Sequence, residues 1–179
     1  MSDWNAVVTV REGGFATARA FLGTFGQVRK TDYLNTLVMA AADPFQLLAK
    51  LQDQLAGDPA IAAWLSRFIP LHHRFSYQSV DEFEQQCREA VVAWLPRLAN
   101  ARFHVRMHRR GFKGRLSSMQ EERFLDEFIL NQLIEAGTPG KVAFDDPDAV
   151  IALETIGPQA GISLFSRDEL QRFSLLHID

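Results

Sequence analysis

Apolar residues recur every three or four positions in several stretches of this chain and cluster in short runs between them. In the first half, Phe15, Ala18, Phe21, Leu22 and Phe25 share one helical face over Phe15–Phe25, and Gly26 closes it. Asp43-Pro44 supplies a capping acceptor followed by a first-turn proline. The helix it opens, Pro44–Ala56, carries Phe45, Leu48, Leu51 and Leu55 on one stripe and stops at Gly57. Asp58-Pro59 predicts a second, short helix ending near Phe68. The β-type runs are Ala6–Arg11, Val28–Thr31, Leu34–Ala41 and the extended segment Ile69–Tyr77. Strand, helix, strand, strand, helix, strand is the order of a ferredoxin-like βαββαβ domain, expected over residues 1–78.

The second half, residues 79–179, opens on a capping box, Ser79-Val-Asp-Glu82. Its helix is expected to run to Leu98 with Phe83, Cys87, Val91, Trp94 and Leu98 on one face and Pro96 near its end. Arg102–Arg110 reads as a strand. A second box, Ser118-Met-Gln-Glu121, predicts a long helix to Ala136, with Phe124, Leu125, Phe128, Ile129 and Leu133 as its apolar stripe. Lys141–Phe144, Val150–Ile156 and Gly161–Phe165 follow as strands joined by Asp146-Pro147 and Gly157-Pro158 turns. Ser166-Arg-Asp-Glu169 caps a short helix, and Ser174–Ile178 reads as a last edge strand. The class is therefore α+β, a ferredoxin-like domain followed by an α/β domain.

Composition narrows the function classes. With 47% hydrophobic residues in 179, the chain can fill real cores and is no disordered tail. Its single cysteine, Cys87, excludes an intramolecular disulfide and any multi-cysteine zinc site, and its apolar helical position predicts a buried thiol. No apolar run approaches the ~20 residues that span a bilayer, and Met-Ser-Asp-Trp-Asn lacks a signal-peptide start. The expectation is a soluble, cytoplasmic protein.

Charge singles out one segment. Arg102 to Arg115 holds six Lys/Arg and two His with no acid, in a chain whose formal charge is −3. Strand alternation sends Phe103, Val105 and Met107 to the core and Arg102, His104, Arg106, His108 and Arg110 to the opposite face. Arg109, Gly111, Phe112, Lys113, Gly114 and Arg115 then form a glycine-hinged loop leading to the next helix. Guanidiniums beside helix-start amides suit phosphate oxygens, and Phe112 offers a ring for an unpaired base. The competing reading is a cationic face neutralised by Glu121, Glu122, Asp145, Asp146 or Asp148. Glu121 and Glu122 would also complement the dipole of that helix start, which counts against phosphate seated directly on it.

Catalytic chemistry finds no foothold. On a strand His104 and His108 stand about 13 Å apart, whereas a shared zinc needs bonds of ~2 Å. No P-loop, dinucleotide or methyl-donor cradle, or nucleophile elbow is present. No catalytic residue, metal site or cofactor is expected.

The run Phe103-His-Val-Arg-Met-His-Arg-Arg-Gly111, the long helix, Lys141-Val-Ala-Phe-Asp-Asp-Pro-Asp148, Val150–Ile156 and Ala160–Leu164 together resemble a THUMP domain over roughly Ser79 to Asp179. This RNA-binding module is shared by thiouridine synthases, tRNA methylases and pseudouridine synthases, and a ferredoxin-like domain commonly precedes it. In layout the chain is most similar to the stand-alone adaptor that presents tRNA to an acetyltransferase making 4-acetylcytidine. The family's Val-Arg-x-x-Arg-Arg run falls on Val105, Arg106, Arg109 and Arg110, and its Lys/Arg-Val-Asp-Leu-x-Asn-Pro-Asp run on residues 141–148. Ala143, Phe144 and Asp146 depart from that second pattern, which weakens any role for polar side chains there in touching RNA. The resemblance implies a non-catalytic tRNA-binding protein that contacts the acceptor end and serves a separate tRNA-modifying enzyme. The residues expected to bind RNA are Arg106, Arg109, Arg110, Lys113, Arg115 and Lys141. The alternatives are a protein-interaction subunit of an RNA-modification complex that binds no RNA itself, or an enzyme with an unrecognised small-molecule site between the domains.

Overall fold

Two sheets organise the chain, and the computed structural model describes residues 3–178 of it. The first sheet comprises β1 (Ala6–Val10), β2 (Gly26–Lys30), β3 (Thr36–Ala41) and β4 (Leu65–Pro70), with α1 (Phe15–Leu22) and α2 (Pro44–Gly57) in the crossovers. Its order, β2-β3-β1-β4 with every pair antiparallel, is the ferredoxin-like arrangement. Asp43 caps α2 by accepting from the Phe45 and Gln46 amides, and Pro44 occupies the first turn.

The second sheet is mixed. It comprises β5 (His73–Ser76), β6 (Arg102–His108), β7 (Lys141–Val142), β8 (Ala149–Ile156) and β9 (Gln159–Ser166), in the order β5-β9-β8-β6-β7. The helices of this half are α3 (Val80–Val92), α4 (Leu95–Leu98), α5 (Ser118–Glu135) and α6 (Arg167–Arg172). One core cluster joins Phe83, Cys87 and Val91 of α3, Leu125, Ile129 and Leu133 of α5, and the strand residues Phe103, Val105, Ile151 and Leu153. The chain is α+β. No helix among the described residues is long and apolar enough to cross a membrane.

Several elements differ from their sequence reading. The apolar residues Ile61, Leu65 and Phe68 are spaced like a helical stripe, yet only Pro59–Ala63 is helical, as a 3-10 turn, and Leu65–Pro70 is β4. A register shift opposite Thr9 and Val10 breaks the period of two that would have marked that strand. The extended segment Ile69–Tyr77 is consequently divided. Its start ends β4, whereas His73–Ser76 pairs with β9 in the other sheet. The Ser79 helix breaks after Val92, because Pro96 has no amide to give the preceding turn and instead sits in the first turn of α4. The cap of α5 is Ser117, one residue before the box expected at Ser118.

The described residues fold as two compact units, 3–71 with 170–177, and 72–169 with 178. The tail, expected as an edge strand, forms no strand. It lies along β4, where the Phe68 amide donates to the Leu175 carbonyl and Arg67 Nε to the His177 carbonyl, at 3.0 and 2.7 Å.

Within the second unit, buried Tyr77 donates its hydroxyl to the Gly157 carbonyl at 2.7 Å, tying the start of that unit to its β8–β9 turn. Tyr77→Phe should lower unfolding free energy in urea by about 1–2 kcal/mol, the cost of a buried carbonyl left without its donor.

Candidate nucleic-acid interface

β6 lies between β7 and β8, but β7 reaches only Arg102 and Phe103. Past that point the amides on the open side of β6 need other acceptors. α5 supplies them: Asp126 Oδ1 accepts from the Val105 amide at 3.1 Å and Glu122 Oε2 from the Met107 amide at 2.8 Å. These two bonds fix where α5 lies along the strand.

Strand parity places Phe103, Val105 and Met107 in the core, as expected. The opposite face is charged yet largely covered. His104 is 1% exposed, its Nδ1–H donating to the Ala143 carbonyl at 3.0 Å. Arg106 lies 3.8 Å from Glu122. His108 Nδ1 and Arg110 Nη1 both approach Glu154 Oε2, at 3.3 and 3.4 Å, and Glu154 is wholly buried. Arg102 is exposed but donates to the Asp145 and Asp146 carbonyls at 2.7 and 3.0 Å. The central part of the basic run is thus met by carboxylates and carbonyls.

Glu154 is not among the acids that the sequence suggested as neutralising partners. Its signal was available: a lone acid in an apolar strand, paired in register with His108. The Asp145–Asp148 turn is an arginine hub. Arg167 donates to the Asp146 side chain and carbonyl and lies 3.0 Å from Asp148 Oδ1, while Asp148 Oδ2 accepts the Arg102 amide. Those bonds hold the Asp148 carboxyl below its usual range, the Arg102 amide contributing most. Asp146 sits at φ 47, a left-handed position that asparagine and aspartate tolerate best.

The cations in open solvent lie further along. Gly111, Phe112 and Gly114 have φ of 93, 54 and 80, so the loop turns sharply before α5. Arg109 donates to the Gly111 carbonyl, holding the turn from within. Lys113 and Arg115 are exposed, as is Lys141 at the start of β7. Arg109, Gly114, Arg115, Ser117 and Ser118 border an open concavity of about 530 Å³ at the start of α5. Phe112 is not available for stacking as expected, because its ring packs on Tyr77 at 4.8 Å and carries the Arg115 guanidinium at 4.1 Å.

Glu121 lies four residues before Leu125, on the face of α5 that carries Ile129 and Leu133 into the core. It is 4% exposed, hydrogen-bonded to Glu84, and burial with that neighbour pushes its carboxyl up to about 8. Glu122 faces β6. At neutral pH neither acid projects a negative charge over the loop, so the positive end of the α5 dipole is less offset than the sequence implied. Asp126, 8% exposed, is pushed up to about 7, chiefly by burial. Among the described residues no three His, Cys, Asp or Glu are grouped to hold a metal ion.

No protein-family model matches the sequence, and no curated protein matches it significantly. The fold is similar to that of solved structures. PH1313 from Pyrococcus horikoshii is 13% identical with a TM-score of 0.62, over 92% of this chain and 55% of that one. TrmN from Thermus thermophilus is 14% identical with a TM-score of 0.58, over 90% and 44%. A 4-thiouridine synthetase solved with RNA and bound ATP is 16% identical with a TM-score of 0.56, over 92% and 42%. This chain spans about half the length of these structures.

Glu121 and Asp126 both hold a proton more tightly folded than unfolded. Stability should therefore be full below their ordinary values of 4.5 and 3.8 and fall as pH rises toward 8. Urea unfolding at pH 5.5 and 8.5 should show a loss on the order of 1–2 kcal/mol. Glu121→Gln should flatten that slope; an unchanged slope refutes the assignment.

Proposed function

We propose that this chain is a THUMP-type, non-catalytic RNA-binding protein. It holds tRNA near the acceptor end and presents it to a separate modifying enzyme, such as a cytidine acetyltransferase. The observation that carries the reading is the loop of residues 109–117, where Arg109 and exposed Arg115 border a concavity at the start of an 18-residue helix and Lys113 stands exposed in the same loop. A phosphate there meets guanidinium groups together with the positive end of the helix dipole. The fold likeness to a 4-thiouridine synthetase solved with RNA supports the same partner.

In this reading Arg109, Lys113 and Arg115 contact phosphates, and Lys141 adds a contact beside β7. Arg106 and Arg110 stand behind them. Each already faces a carboxylate, so they set the local field and hold the strand before they touch RNA. Recognition is by local charge and shape, since a chain of net charge −3 has no broad electrostatic footprint. Delivery rather than chemistry is supported by the sequence, which carries neither a nucleotide cradle nor a nucleophile elbow.

Binding of tRNA measured against salt tests the site. Lys113→Ala and Arg115→Ala should each weaken binding and flatten the log affinity–log salt slope by about 0.7–0.9 per lost phosphate contact. Arg110→Ala should instead lower the melting temperature, because it takes a cation from buried Glu154. Unchanged affinity and slope in a Lys113→Ala/Arg115→Ala/Lys141→Ala triple variant would rule the site out.

A further inference from the structure

The same acids that hold α5 to β6 line a second depression, on the open side of the strand. It measures about 300 Å³; Val105, Leu130 and Val142 give it apolar walls, and Glu122, Asp126 and Glu127 line it too. Phe144 and Met119 also border it and are 66% and 69% exposed, two large apolar side chains standing in water beside an apolar recess. Exposed apolar area next to a recess with polar groups marks a place where another molecule docks.

We infer that this groove binds a segment of a partner protein that presents an arginine or lysine beside a large apolar side chain. The apolar residue fills the recess between Leu130 and Val142, with Phe144 and Met119 closing over it. The cation meets Asp126 and Glu127, one turn along α5 from Glu122. Asp126 is the decisive group. It is nine-tenths buried at the groove, Val105 donates a backbone amide to it, and burial pushes its carboxyl up to about 7. A guanidinium or ammonium would hold it as the carboxylate and form a charge-assisted bond. Arg106 lies within 3.8 Å of Glu122 and its charge also reaches Asp126, so the incoming cation joins it at Asp126 and meets Glu127 beside it. Arg123 also lines the groove and offers a rim contact for an acid elsewhere on the segment. A nucleic-acid strand is disfavoured, because its phosphates would face three carboxyl groups. The inference does not rest on the tRNA reading, since it uses none of the residues of the 109–115 loop.

The test is selection of random 12-residue peptides on the full chain, followed by fluorescence anisotropy of the enriched peptides. These should carry an Arg or Lys next to Leu, Ile, Met, Phe or Trp. Asp126→Asn, which keeps an acceptor for the Val105 amide, should weaken them about tenfold or more. Glu127→Gln, at an exposed position, should weaken them severalfold without lowering the melting temperature, and Phe144→Ala should weaken them severalfold as well. All three variants should keep the salt slope of tRNA binding, whatever its value. The inference is overturned by no enrichment, by acidic or featureless enriched peptides, by equal binding to the variants, or by displacement of the peptides with a short RNA oligonucleotide that the same variants weaken.

Discussion

Past Phe103, β6 has a strand neighbour on one side only, and its outward amides must be satisfied by something other than a sheet partner. The fold answers with the carboxyls of Asp126 and Glu122. A bare edge would invite pairing with another chain; one whose amides are already taken does not. The two bonds also set the position of α5 along the strand. That position brings Ser117 and the start of α5 up to the glycine loop, and turns Leu125, Ile129 and Leu133 into the core. It also leaves Asp126 poorly solvated. The basic loop, the acidic groove and the pH dependence of the unit all descend from an edge β7 is too short to cover.

The local chemistry of the chain was legible where a residue type acts on its own backbone. Asp43 before Pro44, Ser79 before α3 and the Ser166–Glu169 box at α6 cap as their side chains dictate, each oxygen reaching amides two or three residues on. The ferredoxin-like order followed from them and from the apolar periods between. The second half of the site was less legible, for two reasons. Glu121 reads as a first-turn acid complementing the helix dipole, but its four-residue spacing from Leu125 puts it on the face that α5 turns to Glu84 of α3. Strand parity sorts side chains onto faces but does not say whether a face is covered. His104, Arg106 and His108 share one face of β6, yet His104 is buried, Arg106 faces Glu122 of α5 and His108 meets Glu154 of β8; the strand expected to reach Arg110 ends at His108.

Charge in the second unit is therefore layered. Deep in the sheet, His108 and Arg110 meet at Glu154. At the Asp145–Asp148 turn, Arg102 and Arg167 are spent on carbonyls and carboxylates. Lys113, Arg115 and Lys141 remain in open solvent. A basic run of 14 residues reads on paper as one surface. Folded, it divides into an internal scaffold and an outward-facing loop, and an anionic partner is offered chiefly the second.

The tail bears on the order in which the protein can be finished. The first unit holds residues 3–71 and takes up 170–177 again, so residues 72–169, nearly all of the second unit, are inserted between its parts. On the ribosome, β1 to β4 emerge first, but the β4 edge keeps its Phe68 amide open until Leu175 has been translated. That sheet thus begins to fold before the second unit and closes after it. A nascent chain would carry that unshielded edge throughout synthesis of the second unit, which gives it a window of exposure to chaperones and to neighbouring chains.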